Sequence, residues 1–249
     1  MELYGTNTAA ENPPPALPAP QAHEAVMTNS PTRDERHRVE RSKARARYDR
    51  ASVHAILDAG MIAHVGFCVD AQPFVIPMLY ARDGDDLLLH GSVASRLMRG
   101  LGEGIAACLT VTHVDGLVLA RSHFDHSVNY RSVVAFGRAR VLDDPRAKAD
   151  ALARFVDALL PGRSGESRAA DASELGATTV LVFAIEDASA KVREGGAKEN
   201  AADLGIPTWA GVLPVRHVFG TPQPEVDLVE GVGLPPSVRN LLERDGAPA

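Results

Sequence analysis

The chain has 249 residues, 45% of them hydrophobic, with a net charge of −6 and a pI near 5.8. That length suits one large domain with extensions, and the acidic balance argues against a nucleic-acid binder held by overall charge. No apolar run approaches the roughly 20 residues of a membrane helix. Residues 1–21 also lack the basic start and apolar core of a secretory signal, so a cytoplasmic protein without a membrane partner is expected.

Residues 1–44 read as a flexible arm. Its first thirty residues are rich in Pro and Ala, including Pro13-Pro14-Pro15, and bury too little to offset their ordering entropy. Residues 33–50 mix Arg and Lys with Asp34, Glu35, Glu40 and Asp49, a solvated charge pattern. Asp49 is placed to cap a helix through Leu57, closed by Gly60, with Val53, Ile56 and Leu57 on one face.

Strands then dominate. Met61–Val69 and Gln72–Arg82 flank a turn at Asp70-Ala71, and Asp83-Gly84-Asp85 is a hairpin signal leading into Asp86–His90. A helix is predicted over Ser92–Leu101, a strand over Gly104–His113, a polar loop over 114–129 and a strand over Tyr130–Leu142. Asp143-Asp144-Pro145 opens a helix to Leu160 whose apolar face holds Leu152, Phe155, Val156 and Leu159. Thr178–Glu186 is a strand, residues 191–205 are Gly-rich and polar, and Thr208–Val218 contains the single tryptophan, Trp209. Residues 219–249 form a Pro-rich tail with a short helix near Pro236–Glu243. Six or more largely antiparallel strands with a few flanking helices give a mainly β fold of the α+β class. Cys68 and Cys108 have no CxxC neighbour and read as buried free thiols, so no metal site is predicted.

The stretch Leu87–Arg99 is the most informative. An apolar strand runs into a turn carrying Ser92, Ser95 and Arg96, where a helix starts. Hydroxyls, a guanidinium and free amides at such a turn suit a phosphate. The plainer alternative is a helix capped by Ser92 or Ser95. No GxGxxG or Walker A pattern and no Gly-x-Ser-x-Gly elbow is present, so the anion site belongs to another architecture. Pro77 interrupts the run Pro73–Tyr80 and places it at a sheet edge or against a ligand.

Three stretches in this order carry a resemblance: Pro73–Tyr80, Leu88–Arg99 and Ser127–Gly137, with Trp209–Pro214 following. The chain resembles the pyridoxamine 5′-phosphate oxidase-like split-barrel superfamily that binds flavin, in its nitroimidazole-resistance reductase-like branch, over residues 45–218. The resemblance implies an FMN-binding split β-barrel forming a homodimer with flavin at the subunit interface. It places Val75, Ile76, Pro77 and Met78 along the isoalloxazine ring. His90, Gly91, Ser92, Ser95, Arg96 and Leu97 fall in the phosphate loop, Arg131 and Ser132 near the phosphate or ribityl chain, and Trp209 near the flavin. Leu97 stands where the family often has lysine, which leaves room for FAD in place of FMN. His90 is the one residue for which the resemblance suggests a catalytic role; a loop-positioning histidine is the alternative.

The function so implied is an FMN-dependent oxidoreductase acting on a small aromatic or nitro-substituted molecule. The vitamin B6 oxidase reaction is not implied, because that enzyme's substrate-phosphate residues do not map onto this chain. A flavin carrier or redox sensor is one alternative. Haem binding on the same fold is another, with His90, His113 and His126 as possible axial ligands. The loop Arg121–His126 reads as a solvated or substrate-side segment, and Arg193 and Lys198 as surface charge or flavin contacts.

Overall fold

The computed structural model describes residues 38–245. The arm expected over residues 1–44 therefore lies outside the described residues up to position 37. From Arg38 the chain is irregular or in short turns, apart from a two-residue strand, β1 (Ala46–Arg47), laid beside the last long strand. Helix α1 (Arg50–Asp58) begins as its sequence dictates. The Asp49 carboxylate accepts from the Ser52 amide at 2.8 Å, and Val53, Ile56 and Leu57 are buried.

The sheet follows: β2 (Ile62–Val69), β3 (Gln72–Leu79), β4 (Ala81–Asp83), β5 (Asp86–Ser92), β6 (Ala106–Leu119), β7 (Ser127–Val141), β8 (Thr178–Arg193) and β9 (Gly211–Pro214). Helices α2 (Arg96–Gly102), α3 (Pro145–Leu159), α4 (Ala172–Ala177) and α5 (Pro236–Asp245) flank it. Every pairing is antiparallel, in the order β3-β2-β6-β7-β8-β5-β4, with β9 beside β6. The two ends of this order do not pair, so the barrel stays split along β3. The mainly β, α+β split-barrel reading is the fold observed.

Two cores explain the apolar runs. One face packs Val65, Leu109, Val133 and Phe183 with Ile56, Met98 and Leu101 from α1 and α2. The opposite face of β5 and β8 packs Leu88, Val180 and Val182 against Phe155 of α3. Leu87-Leu88-Leu89 is continuous because β5 is buried on both faces.

The structure revises several boundaries. Residues 114–119 and 127–129 are strand, not loop: Asp115-Gly116 is a bulge within β6, after which the ladder with β7 resumes. Lys191–Arg193 belongs to β8, held by pairing with β7. The strand expected over Gln72–Arg82 breaks at Tyr80, whose amide turns to Met61 and whose hydroxyl donates to the Leu57 carbonyl in the core. The helix expected from Ser92 starts at Arg96. Cys68 is exposed and Cys108 half-buried, because β2 and β6 turn them to the outer face of the sheet. In the tail, Ser237 at the start of α5 donates its amide (2.9 Å) and hydroxyl to Glu166. No helix among the described residues is long and apolar enough to cross a membrane.

Candidate functional site

The cleft lies where the barrel is split. β3 pairs only with β2, so its far edge is open. Pro73 and Pro77 share one parity along β3, opposite Cys68 and His64. Proline fits a ladder where its nitrogen faces away from the neighbouring strand. Residues of that parity therefore turn their backbone groups to the open edge, among them the N–H and C=O of Val75. The edge strand expected from Pro77 is the one observed.

Facing this edge is the turn after β5. The Ser92 hydroxyl accepts from the Ala94 amide at 3.2 Å, and the Ser95 hydroxyl caps α2 by accepting from the Met98 amide at 3.4 Å. Each hydroxyl keeps its O–H to donate. The Arg96 guanidinium carbon lies 5.4 Å from the Phe74 ring centroid, and Phe74 stacks on Phe67 at 5.4 Å. Arg96 is exposed and has no carboxylate partner among the described residues. A free guanidinium, two hydroxyls and an open strand edge can receive a planar polar ring with an anionic tail.

The other expected site residues are distributed by strand geometry. Val75 and Pro77 point to the outer face, with Val75 66% exposed; Ile76 and Met78 point to the inner side, where Met78 packs on the core. Leu97 is only 5% exposed and belongs to the core, so its side chain does not face an anion. Gly91 sits against Met98, where a Cβ would come within 3.0 Å of Met98 Cγ. His90 turns away from the cleft toward α3, its ring edge-on to Phe155 at 4.3 Å. Its Nδ1 is buried without a partner, and burial lowers its pKa, so it is neutral at neutral pH. That placement suits a positioning residue rather than a catalytic one.

Arg131, Ser132 and Trp209 lie at the other end of the sheet. Ser92 pairs with Thr178 and Ser132 with Lys191, about 13 residues further along β8, on the order of 40 Å at a strand's rise. Within one chain these residues do not join the Ser92–Arg96 turn. Arg131 gives both its hydrogen bonds to Asp115, at 2.8 and 2.9 Å, and Ser132 faces the opposite side of the sheet. Trp209 is exposed just ahead of β9, which pairs with the end of β6.

A family model described as pyridoxamine 5′-phosphate oxidase matches residues 49–192. The chain belongs to the pyridoxamine 5′-phosphate oxidase family. Among solved structures, this oxidase-family chain is similar to the flavocytochrome Anf3 of Azotobacter vinelandii. The two are 40% identical, with 84% of this chain and 97% of that one covered and a TM-score of 0.78. An FAD and haem binding protein of Mycobacterium smegmatis is 37% identical, with 79% and 97% covered and a TM-score of 0.76. A Bacteroides thetaiotaomicron protein described as a candidate for 5-nitroimidazole antibiotic resistance is 19% identical, with 59% and 86% covered and a TM-score of 0.51, and shares the fold. None of the curated proteins matches the chain.

Two features of this oxidase-family chain escape sequence reasoning. Arg193 is only 6% exposed, yet no carboxylate meets it: it donates to Asn129 Oδ1 and to the carbonyls of Gly195 and Gly196. Burial, with Arg45 nearby, lowers its pKa from the ordinary guanidinium value. It holds the glycine segment after β8 against β7. Glu199 does the same further on, accepting from the Arg121 amide at 2.6 Å and from its guanidinium at 2.5 Å. Both partners lie more than 60 residues away along the chain, so no local spacing signals them.

Proposed function

We propose that this chain binds a flavin nucleotide and a haem and passes electrons between them and a small-molecule partner. The observation that carries this reading is the likeness, at 40% and 37% identity over most of the chain, to two structures that hold these groups. The second of those proteins is described as binding FAD. Leu97, buried where the family's phosphate loop often has a lysine, supports FAD over FMN here. The narrower expectation of a nitro-substituted substrate rests on a relative that shares only the fold, so the substrate class stays at a small electron donor or acceptor.

When bound, the flavin supplies hydride or single-electron transfer and the haem single-electron transfer. The protein's part is binding and orientation. The open edge of β3 offers the Val75 N–H and C=O to the rim of a planar ring. Ser92, Ser95 and Arg96 offer two O–H donors and a charge to a phosphate. Phe74 beneath Arg96 keeps the guanidinium over an apolar floor. The outer face of the sheet carries exposed Ile62, Val75 and Leu79, which suits a second copy of this chain and supports the homodimer the family resemblance implies.

The test is direct. The protein purified from its expressing cells is examined by visible spectroscopy, and its released small molecules by mass. A flavin band, a Soret band and the mass of FAD support the reading. A colourless protein that takes up neither flavin nor haemin overturns it.

A further inference from the structure

Seven histidines fall within the described residues, and they differ in what their rings are free to do. His54 faces Asp85 at 3.2 Å in a pocket of about 110 Å³, far too small for a porphyrin. His90 is wedged against Phe155 under α3. His113 gives its Nε2 to the Ile56 carbonyl at 2.9 Å and turns inward, its Cε1 3.3 Å from where a Cβ on Gly60 would stand. His64, His123 and His217 are exposed, with no ring nitrogen held by a hydrogen bond.

His126 is different. It ends the short turn between β6 and β7, and its Nδ1 lies 2.9 Å from the Ser122 carbonyl. A carbonyl only accepts, so Nδ1 carries the proton and the lone pair is on Nε2. The ring is exposed, so that lone pair is available to an incoming group. A backbone carbonyl fixing one ring nitrogen while the other is free is the arrangement that orients metal-ligating histidines.

The surface beside it is apolar. Leu117 pairs with both Val128 and Leu213, and all three are exposed on one side of the sheet. His126 is extended and precedes Val128 by two residues, so its side chain leaves on the same side. Phe124, in the same turn, is 92% exposed. A row of exposed aliphatics, an exposed aromatic and one oriented imidazole form a surface for a flat apolar macrocycle with a metal at its centre.

We infer that His126 is an axial ligand of the haem, with the macrocycle seated against Leu117, Val128 and Leu213. This rests on the flavin-and-haem reading above and adds its place: at the far end of the sheet from the Ser92–Arg96 turn. The ligand is an imidazole Nε2 on iron, and the Ser122 carbonyl holds the ring. Ser122 is thereby a positioning residue.

The experiment is a haemin titration of the full chain, followed by its Soret band and electron paramagnetic resonance. His126→Ala, His123→Ala and His64→Ala are compared with the wild type. The expected result is that His126→Ala weakens haem binding at least tenfold and shifts the Soret band, and that added imidazole restores the band. His123→Ala and His64→Ala keep the wild-type spectrum. Far-UV circular dichroism and flavin content of His126→Ala stay unchanged, which separates ligand loss from unfolding. An unchanged spectrum and affinity in His126→Ala overturn the assignment and leave the flavin-and-haem reading intact. Loss of the band in His64→Ala alone moves the ligand to β2 and overturns it as well. A wild-type chain that takes up no haemin overturns both.

Discussion

Arg96 and His90 stand six residues apart and show how differently two polar side chains of one stretch are used. Arg96 is exposed over Phe74 without a counter-ion among the described residues, so its charge is available to a ligand. Arg96→Ala is expected to weaken flavin binding by about 1.5–3 kcal/mol, the worth of a hydrogen bond to a charged group. Fluorescence titration reads this as a loss of roughly ten- to hundredfold in Kd; an unchanged Kd moves the phosphate elsewhere. His90 is the reverse case, half-buried with an unpartnered Nδ1 and a pKa lowered by burial. Between the unfolded histidine's value near 6.5 and the lower folded one, the unfolded chain holds the extra proton. Stability due to this group is therefore present above about pH 6.5 and falls as the pH drops through the folded value. His54 is lowered too, chiefly by burial and then by Arg82 and Arg50, and contributes with the same sign. Urea midpoints at about pH 7.5 and about pH 5 should fall on acidification, and His90→Gln should flatten the slope without abolishing it. A slope as steep in His90→Gln as in the wild type would show that His90 is not part of it.

At the scale of elements, β3 is the strand whose edge matters more than its side chains. Its exposed parity contains two prolines, and the remaining free donor there with a ligand-facing position is Val75. Val75→Pro removes that N–H while keeping an extended backbone, so the fold is expected to survive at an edge. Flavin affinity should drop by about 1 kcal/mol, the net worth of one hydrogen bond. Val75→Ala, by contrast, trims an exposed side chain and should change stability by less than about 0.5 kcal/mol. Parallel flavin titrations and thermal melts of the two variants check both statements; equal flavin affinity in Val75→Pro removes the backbone contact from the site. The strand itself was legible in the sequence because Pro77 is incompatible with a central ladder. The continuation of β6 past Val114 was not, since Asp115-Gly116 has the composition of a turn and becomes a bulge only because β7 and β9 flank it. Ser95 illustrates the same limit. Its composition allowed a cap or a phosphate ligand, and the folded chain uses it as a cap with the O–H left over.

For the whole molecule, local pattern carried the fold and long-range pairing decided the site. The strand order, the split and the helix caps all follow from periodicity, hairpin signals and N-cap residues. By contrast, Arg131 was read as close to the phosphate turn, whereas β8 sets it on the order of 40 Å away at a strand's rise and Asp115 already neutralises it. A site that needs both ends of the sheet therefore needs a second copy of the chain. The outer face offers one: Ile62 and Leu79 are cross-strand partners, both exposed, beside His64 and Val75 of the same face. Burying such a patch between two copies removes apolar surface that a lone barrel leaves in water. Ile62→Asp puts one charge into each half of a symmetric contact, where like charges would meet. In isolation the same substitution lies at an exposed position and costs the folded chain little. Light scattering should give a dimer for the wild type and a monomer for Ile62→Asp, with thermal unfolding of the monomer still cooperative. A wild-type chain that is monomeric at micromolar concentration, or an Ile62→Asp dimer, would remove this face from the assembly.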